Sequence, residues 1–278
     1  MDHNHQKKIA VINDFSGFGR CSIAVALPII SAMRIQCCPL PTAIFSDHTG
    51  FDSFYMTDFT AHMEPYADEW AKLDLHFNGI ATGFLGSVRQ IDIVEHFLRR
   101  FDRDDTTVLV DPVMGDYGAL YPTYTQELAK NMARLVRYAD ILTPNLTEAC
   151  VLTEREYNPL PEESELLAMC RKLCEMGPRK IVISGLDYGN ALGNFIYEEG
   201  KTQQLLKVPK VGICRSGTGD VFAAIQIANA VNGGSFSAGV RQAADFISHA
   251  MERTTELDIP CTDGIAFEEI LGELIPKS

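Results

Sequence analysis

The sequence predicts an α/β fold with a mostly parallel central sheet, and three observations predict it. Short β-branched or apolar runs alternate with segments of helical apolar spacing along nearly the whole chain. One of these runs, 107–113, is apolar enough to be a strand buried on both faces. Several runs also end in clusters of Gly, Ser, Thr and Asp, at the strand ends where open α/β sheets bind their ligands. The chain has 278 residues and no Pro/Gly/Ser-rich linker or shift of composition, so a single domain over 1–278 is expected.

Residues 8–14 read as the first strand. It ends in Asp14-Phe15-Ser16-Gly17-Phe18-Gly19, and helical spacing follows over 22–33. The Gly-x-Gly here lacks the third glycine of a dinucleotide fingerprint, because Ser22 stands in its place, and no acidic residue follows at the expected distance. A nicotinamide cofactor is therefore not expected. Residues 37–45 form the next extended segment and run into Ser46-Asp47-His48-Thr49-Gly50, where His48 is either a ligand contact or a loop histidine bonded to backbone. An amphipathic helix over 58–73 is introduced by Thr57, and a strand over 77–85 leads through Gly83 and Phe84 to a helix capped by Ser87 and ending near residue 101.

The strand at 107–113 exits into Asp111-Pro112-Val113-Met114-Gly115-Asp116, whose two carboxylates either face a metal or simply solvate a loop. A helix over 123–136 and a strand over 140–143 follow, and Asn145-Leu146-Thr147-Glu148 starts another helix. Glu148 fits a capping carboxylate, and its place after a buried strand also suits magnesium held through water. A helix over 161–176 stops at Gly177-Pro178, a short strand covers 180–184, and segments 193–197 and 205–211 pair as a hairpin. Gly200-Lys201-Thr202 in that hairpin imitates the end of a Walker A loop. The flanking strands, and Phe195 where that motif requires glycine, exclude it.

Arg215-Ser216-Gly217-Thr218-Gly219-Asp220 precedes an apolar run over 221–231, which ends at Asn232-Gly233-Gly234 before a last helix capped by Ser235 and reaching about residue 256. Two glycines around a small hydroxyl let backbone approach a ligand, and the free N–H groups of the following helix suit an anion. Asp220 in the first helical turn is favoured as a carboxylate and can accept a proton from an alcohol beside that anion, which is the chemistry of phosphoryl transfer to a hydroxyl. Taken alone, Gly-Thr-Gly-Asp fits a plain turn and helix start equally well.

The formal net charge of −13 excludes nucleic acid and anionic membrane as partners. No apolar run reaches eighteen residues and the N-terminus lacks a signal-peptide core, so a cytoplasmic location is expected. The eight cysteines are scattered, mostly in apolar runs, and read as buried thiols. Cys170 and Cys174 lack a partner pair for zinc, and the sequence assigns no role to Cys214.

Five segments in order carry a more specific signal: Phe45–Gly50, Gly83–Ser87, Asp111–Asp116, Thr143–Glu148 and Ser216–Asp220. With them the chain resembles the ribokinase-like superfamily over nearly its whole length, and within it the pyridoxal (vitamin B6) kinase branch. The resemblance implies a three-layer α/β/α fold and magnesium- and ATP-dependent phosphorylation of a hydroxymethyl group on a pyridine ring. Asp220 would be the base, with Gly217, Thr218 and Gly219 as anion hole. Asp111, Asn145 and Glu148 would hold Mg²⁺, with Asp116 near the phosphates and Thr143, Ser184 and Thr218 on the nucleotide. Asp14, Ser16, Thr49 and Phe84 would line the ring pocket. A homodimer is expected because this branch commonly forms one, and a requirement for a monovalent cation stays open.

Two departures bear on specificity. Asp14 stands where pyridoxal kinases typically carry Ser, and Phe84 where they carry Tyr, so pyridoxamine or an aminopyrimidine becomes a candidate substrate. Asp14–Gly19 is similar to the opening of hydroxymethylpyrimidine kinases, whereas those usually carry Cys at the position of Asp220. A hydroxymethylpyrimidine or other small-alcohol kinase is thus the alternative, followed by a vitamin-binding protein without catalysis.

Overall fold

The computed structural model describes residues 2–121, 124–213 and 215–276. The expected helix start at Thr123 and the thiol of Cys214 lie outside these residues. Nine strands form one sheet in the order β11-β10-β9-β8-β5-β4-β1-β2-β3. Its parallel centre comprises β2 (Gln36–Asp47), β1 (Lys8–Phe18), β4 (Gly79–Thr82), β5 (Thr107–Val110), β8 (Ile141–Leu142) and β9 (Lys180–Asp187). Antiparallel strands close both sides: β3 (Met56–Asp58) on β2, and β10 (Ala191–Glu198) with β11 (Thr202–Pro209) on β9. A separate two-stranded ribbon, β6 (Gly115–Asp116) and β7 (Ala119–Leu120), stands beyond β5.

The two-residue period of a strand divides the core into two layers. Along β1, Ile9 and Val11 pack with α1 (Ser22–Ala32), α7 (Thr218–Val231) and α8 (Phe236–Glu256). Ala10 and Ile12 pack on the opposite face with α2 (Thr60–Lys72), α3 (Val88–Phe101), α4 (Gln126–Val136), α5 (Leu146–Thr153) and α6 (Glu163–Cys174). The result is the three-layer α/β/α fold that the sequence implies.

Helix starts follow their caps. Ser87 accepts from Gln90 N at 3.2 Å, Thr125 from Leu128 N at 3.1 Å and Ser235 from Ala238 N at 3.3 Å. The first turn of α7 has no side-chain cap, since Gly217 occupies its N-cap position with φ +83°.

The boundaries differ from expectation where local periodicity is weak. Thr57 lies in β3 rather than at a helix start, and α2 begins only at Thr60, whose N–H is taken by Asp58 Oδ1 at 2.6 Å. β5 stops at Val110 because Asp111 turns its carboxylate to the Thr143 hydroxyl and Pro112 donates no N–H. β1 runs on through Phe18, where a glycine turn was expected, because β2 continues alongside it with one extra residue opposite the Asn13–Phe15 step. Glu198 pairs with Thr202 across the hairpin turn, so Gly200-Lys201 is a strand connection and not a phosphate loop.

Candidate active site

Parallel strands bring their C-terminal ends to one edge of the sheet, and the expected site residues sit there. Asp14 and Ser16 lie in β1, Thr49 follows β2, Phe84 follows β4, and Asp111 follows β5. Asp116 is in β6, Thr143 and Asn145 follow β8, Ser184 is in β9, and Gly217–Asp220 open α7. Mutual electrostatic effects tie them together. Asp220 raises the pKa values of Asp14 and Asp111, and Asp111 raises that of Glu148.

Asp220 is half-buried at the start of α7. Its Oδ1 accepts from Asn13 Nδ2 at 3.0 Å, and the Ser22 backbone N–H at the head of α1 also donates to the carboxylate. Burial pushes its pKa above the usual carboxylate range, while those two donors pull it back. The carboxylate therefore faces the N-termini of two helices, each contributing positive potential.

Gly217 serves a purpose the motif alone does not reveal. A Cβ there would lie 1.9 Å from the carbonyl oxygen of Arg20, so only glycine lets the β1–α1 connection pack beneath the loop. Around Gly219, by contrast, a Cβ would meet nothing within 4 Å, which leaves that side of the loop open for a ligand. The Thr218 hydroxyl faces back toward the Arg215 carbonyl at 3.4 Å. Arg215 in turn anchors the segment by donating from Nη1 to the carbonyls of Ile259 and Pro260, both at 2.7 Å.

On the expected acceptor side, Asp14 is buried and takes hydrogen bonds from Ser22 Oγ at 2.6 Å and Ser16 Oγ at 3.3 Å. Burial raises its pKa to about 6, opposed by the Ser22 hydroxyl and reinforced by the Asp220 charge. Ser16 is 1% exposed and spends its hydroxyl on Asp14, so its contribution to a pocket passes through that carboxylate. The Phe84 ring stands edge-on to Phe45 with centroids 6.3 Å apart, and its backbone is held by Thr42 Oγ1 at 2.9 Å and Asn13 Oδ1 at 2.8 Å. Thr49 is exposed on a loop secured by its neighbour His48. His48 Nδ1 accepts from Gly50 N at 3.1 Å, which makes Nε2 the protonated nitrogen facing the Thr262 carbonyl at 2.6 Å.

On the expected nucleotide side, Asn145 and Glu148 form a reciprocal capping box at the head of α5, with N···O distances of 2.9 and 2.8 Å. The second Glu148 oxygen accepts from Met114 N at 3.1 Å, and Asn145 Nδ2 donates to Gly115 O at 2.7 Å. Thr143 gives its hydroxyl to Asp111 at 3.2 Å, so it orients that carboxylate. Ser184 joins Asn145 through an isolated parallel bridge, and Asp116 caps the turn at Tyr117 N at 2.8 Å. Burial drives the pKa values of both Asp111 and Glu148 well up, and it raises that of Asp116. Neither Lys nor Arg is among the groups that perturb these three carboxyls.

Such a set calls for a cation, and Mg²⁺ fits it. Among the described residues no three His, Cys, Asp or Glu side chains are arranged to hold a metal directly. Asp111 and Glu148 would hold it, with Asn145 fixing the turn.

Three residues of this edge escape sequence reasoning. Asn13 and Ser22 grip Asp220, and burial raises the pKa of Tyr121, reinforced by the charges of Glu148, Asp116, Asp111 and Asp220. The one signal for Asn13 is an amide at the end of an otherwise apolar strand.

A sheet edge with an uncapped helix start, an oriented carboxylate and a cluster of buried acids has the parts that phosphoryl transfer to an alcohol requires. Residues 29–261 match the model of the phosphomethylpyrimidine kinase family, and the chain belongs to that family. It is 26% identical over 254 residues to the chloroplastic thiamine biosynthetic bifunctional enzyme TH1 of Arabidopsis thaliana, covering 90% of this chain and 47% of that protein. It is 30% identical over 203 residues to the pyridoxal kinase of the same plant, covering 67% of this chain and 62% of the relative. The chain thus spans roughly half to three fifths of these two relatives. The fold of a Bacteroides thetaiotaomicron VPI-5482 protein, provisionally assigned as a phosphomethylpyrimidine kinase, superposes with a TM-score of 0.96 at 35% identity, covering 100% of this chain and 97% of the other. A second crystal form of that protein, with pyridoxal, gives 0.93 at 36% identity, covering 97% and 96%.

Proposed function

We propose that the chain is a single-domain kinase that transfers the γ-phosphoryl group of ATP to the hydroxymethyl group of a B6 vitamer, giving the 5′-phosphate and ADP. The observation that carries this reading is the setting of Asp220, a carboxylate gripped by Asn13 and Ser22 next to the uncapped first turn of α7. Asp220 accepts the alcohol proton as the substrate oxygen bonds to the γ-phosphorus and the bond to the ADP oxygen breaks. The N–H groups of Gly217, Thr218 and Gly219 hold the transferring oxygens. Asp111 and Glu148 would hold magnesium through its waters, and the ion would supply positive charge to offset that of the phosphates.

An aspartate rather than a cysteine at 220 favours the B6 branch, and the pyridoxal form of the Bacteroides relative supports it. The second reading, a hydroxymethylpyrimidine kinase, is favoured by one observation, the buried Asp14 carboxylate, which suits an amino group or a protonated ring nitrogen. ADP formation measured with pyridoxal, pyridoxamine, pyridoxine and hydroxymethyl aminopyrimidine separates the two. Turnover confined to the pyrimidine reverses the order, and binding without turnover on every alcohol leaves a binding protein.

Exposed Phe15, Phe18, Ile44, Phe54, Tyr55 and Met56 along the β1–β3 side support the expected homodimer. No helix among the described residues is long and apolar enough to cross a membrane. A cytoplasmic setting goes with this proposal.

A further inference from the structure

We infer that Asn13 is the positioning residue of the Asp220 carboxylate, and that residue 83 is glycine to give Asn13 room. The inference rests on the kinase reading for what Asp220 does, but its geometry is independent of which alcohol is the acceptor.

Asn13 ends the apolar part of β1 and is 6% exposed. Its Oδ1 accepts two backbone N–H groups, from Asp14 at 2.9 Å and from Phe84 at 2.8 Å, which uses both lone pairs of the amide oxygen. This fixes which way the amide faces. A flipped amide would set its NH₂ against two N–H donors and its oxygen against a carboxylate. The NH₂ group is left with one direction, toward Asp220 Oδ1 at 3.0 Å.

A second observation comes from the neighbouring strand. A Cβ on Gly83 would lie 2.4 Å from Asn13 Nδ2, 2.5 Å from Cγ and 2.6 Å from Oδ1. Any side chain at 83 would therefore evict the amide. Gly83 needs no left-handed φ, so close approach alone explains the missing side chain.

One amide thus ties the expected ring wall at Phe84, the expected polar contact at Asp14 and the expected base at Asp220 into a single hydrogen-bonded unit. Without it, the Ser22 N–H is the one remaining donor to Asp220 among the described residues, and the carboxylate can rotate away from the acceptor oxygen.

The test uses Asn13→Ala, Asn13→Asp and Gly83→Ala in the full chain. Asn13→Asp keeps the shape and both N–H contacts and replaces the amide donor with a second carboxyl facing Asp220, so it serves if Asn13→Ala does not fold. The expected result is a fall in kcat of about 100-fold in all three variants, with KM for alcohol and for MgATP within roughly threefold of the parent. A kcat within about twofold of the parent, or a loss confined to KM, overturns the inference. A crystal structure of Asn13→Ala, or of Asn13→Asp in its place, supplies a readout free of activity. The carboxylate of Asp220 should move by more than about 0.5 Å, and one that stays in place overturns the inference whatever the enzyme phosphorylates. Should the parent turn over no alcohol, the kinase reading fails and the crystallographic readout still decides this one.

Discussion

The carbonyl oxygen of Arg20 occupies the space where a side chain on Gly217 would begin, 1.9 Å from the position of its Cβ. The connection after β1 and the loop before α7 are therefore one packed unit. Gly217→Ala must displace that carbonyl and also hold alanine at φ +83°. The expected cost is at least about 1–3 kcal/mol of stability, read by urea unfolding, together with loss of turnover. Gly219→Ala meets no such obstruction and should keep or slightly raise stability while raising KM for MgATP, because it fills the open side of the loop.

Asp220→Asn removes the proposed proton acceptor and leaves the backbone N–H groups of the loop intact. Turnover should fall by about 10²–10⁴-fold. ADP affinity measured by titration calorimetry should stay within a few-fold of the parent, and a matching loss of affinity would place Asp220 on the nucleotide instead.

Asp14 gives a pH signature whose sign follows from its raised pKa. The unfolded carboxyl titrates near 3.8 and the folded one at about 6, so between these values the native state holds the extra proton. Stability contributed at this position falls as pH rises from about 4 to about 6, and above that the full penalty, of order 3 kcal/mol, is present. Asp14→Asn should therefore unfold at higher urea than the parent at pH 7.5, with the gap closing toward pH 4. The same substitution should reorder the rates among pyridoxal, pyridoxamine and pyridoxine rather than abolish them. An unchanged ranking removes Asp14 from the pocket.

Glu148 accepts from Met114 N and Asn145 N, so Glu148→Gln turns an NH₂ against one of those donors. A loss of about 1–3 kcal/mol is expected. Adding Mg²⁺ should raise the melting temperature of the parent by relieving the crowded acids, and this rise should shrink in the variant. EDTA should stop turnover.

Much of this architecture is legible in the sequence because its signals are local. Ser87, Asn145 and Ser235 announce their helices through caps a few residues long, and the apolar runs at β5 and α7 announce buried elements. The ribbon β6–β7 and the edge strand β3 are two or three residues each, too short for any period to register. Asn13 was invisible for a different reason. Its partner Asp220 is 207 positions away, and only the packed sheet brings an unremarked amide to a recognisable motif. The sequence reads Gly217 as freedom for a ligand, whereas it and Gly83 each make space for another part of the chain.

The uninterrupted course of β1 past Asp14 has a consequence for how such an enzyme can change. Asn13, Asp14 and Ser16 ride on one strand, so a substitution there that reshapes the proposed ring pocket also disturbs the grip on Asp220. New specificity without lost speed must then originate elsewhere, in the exposed loop around Thr49, which lies beyond that strand.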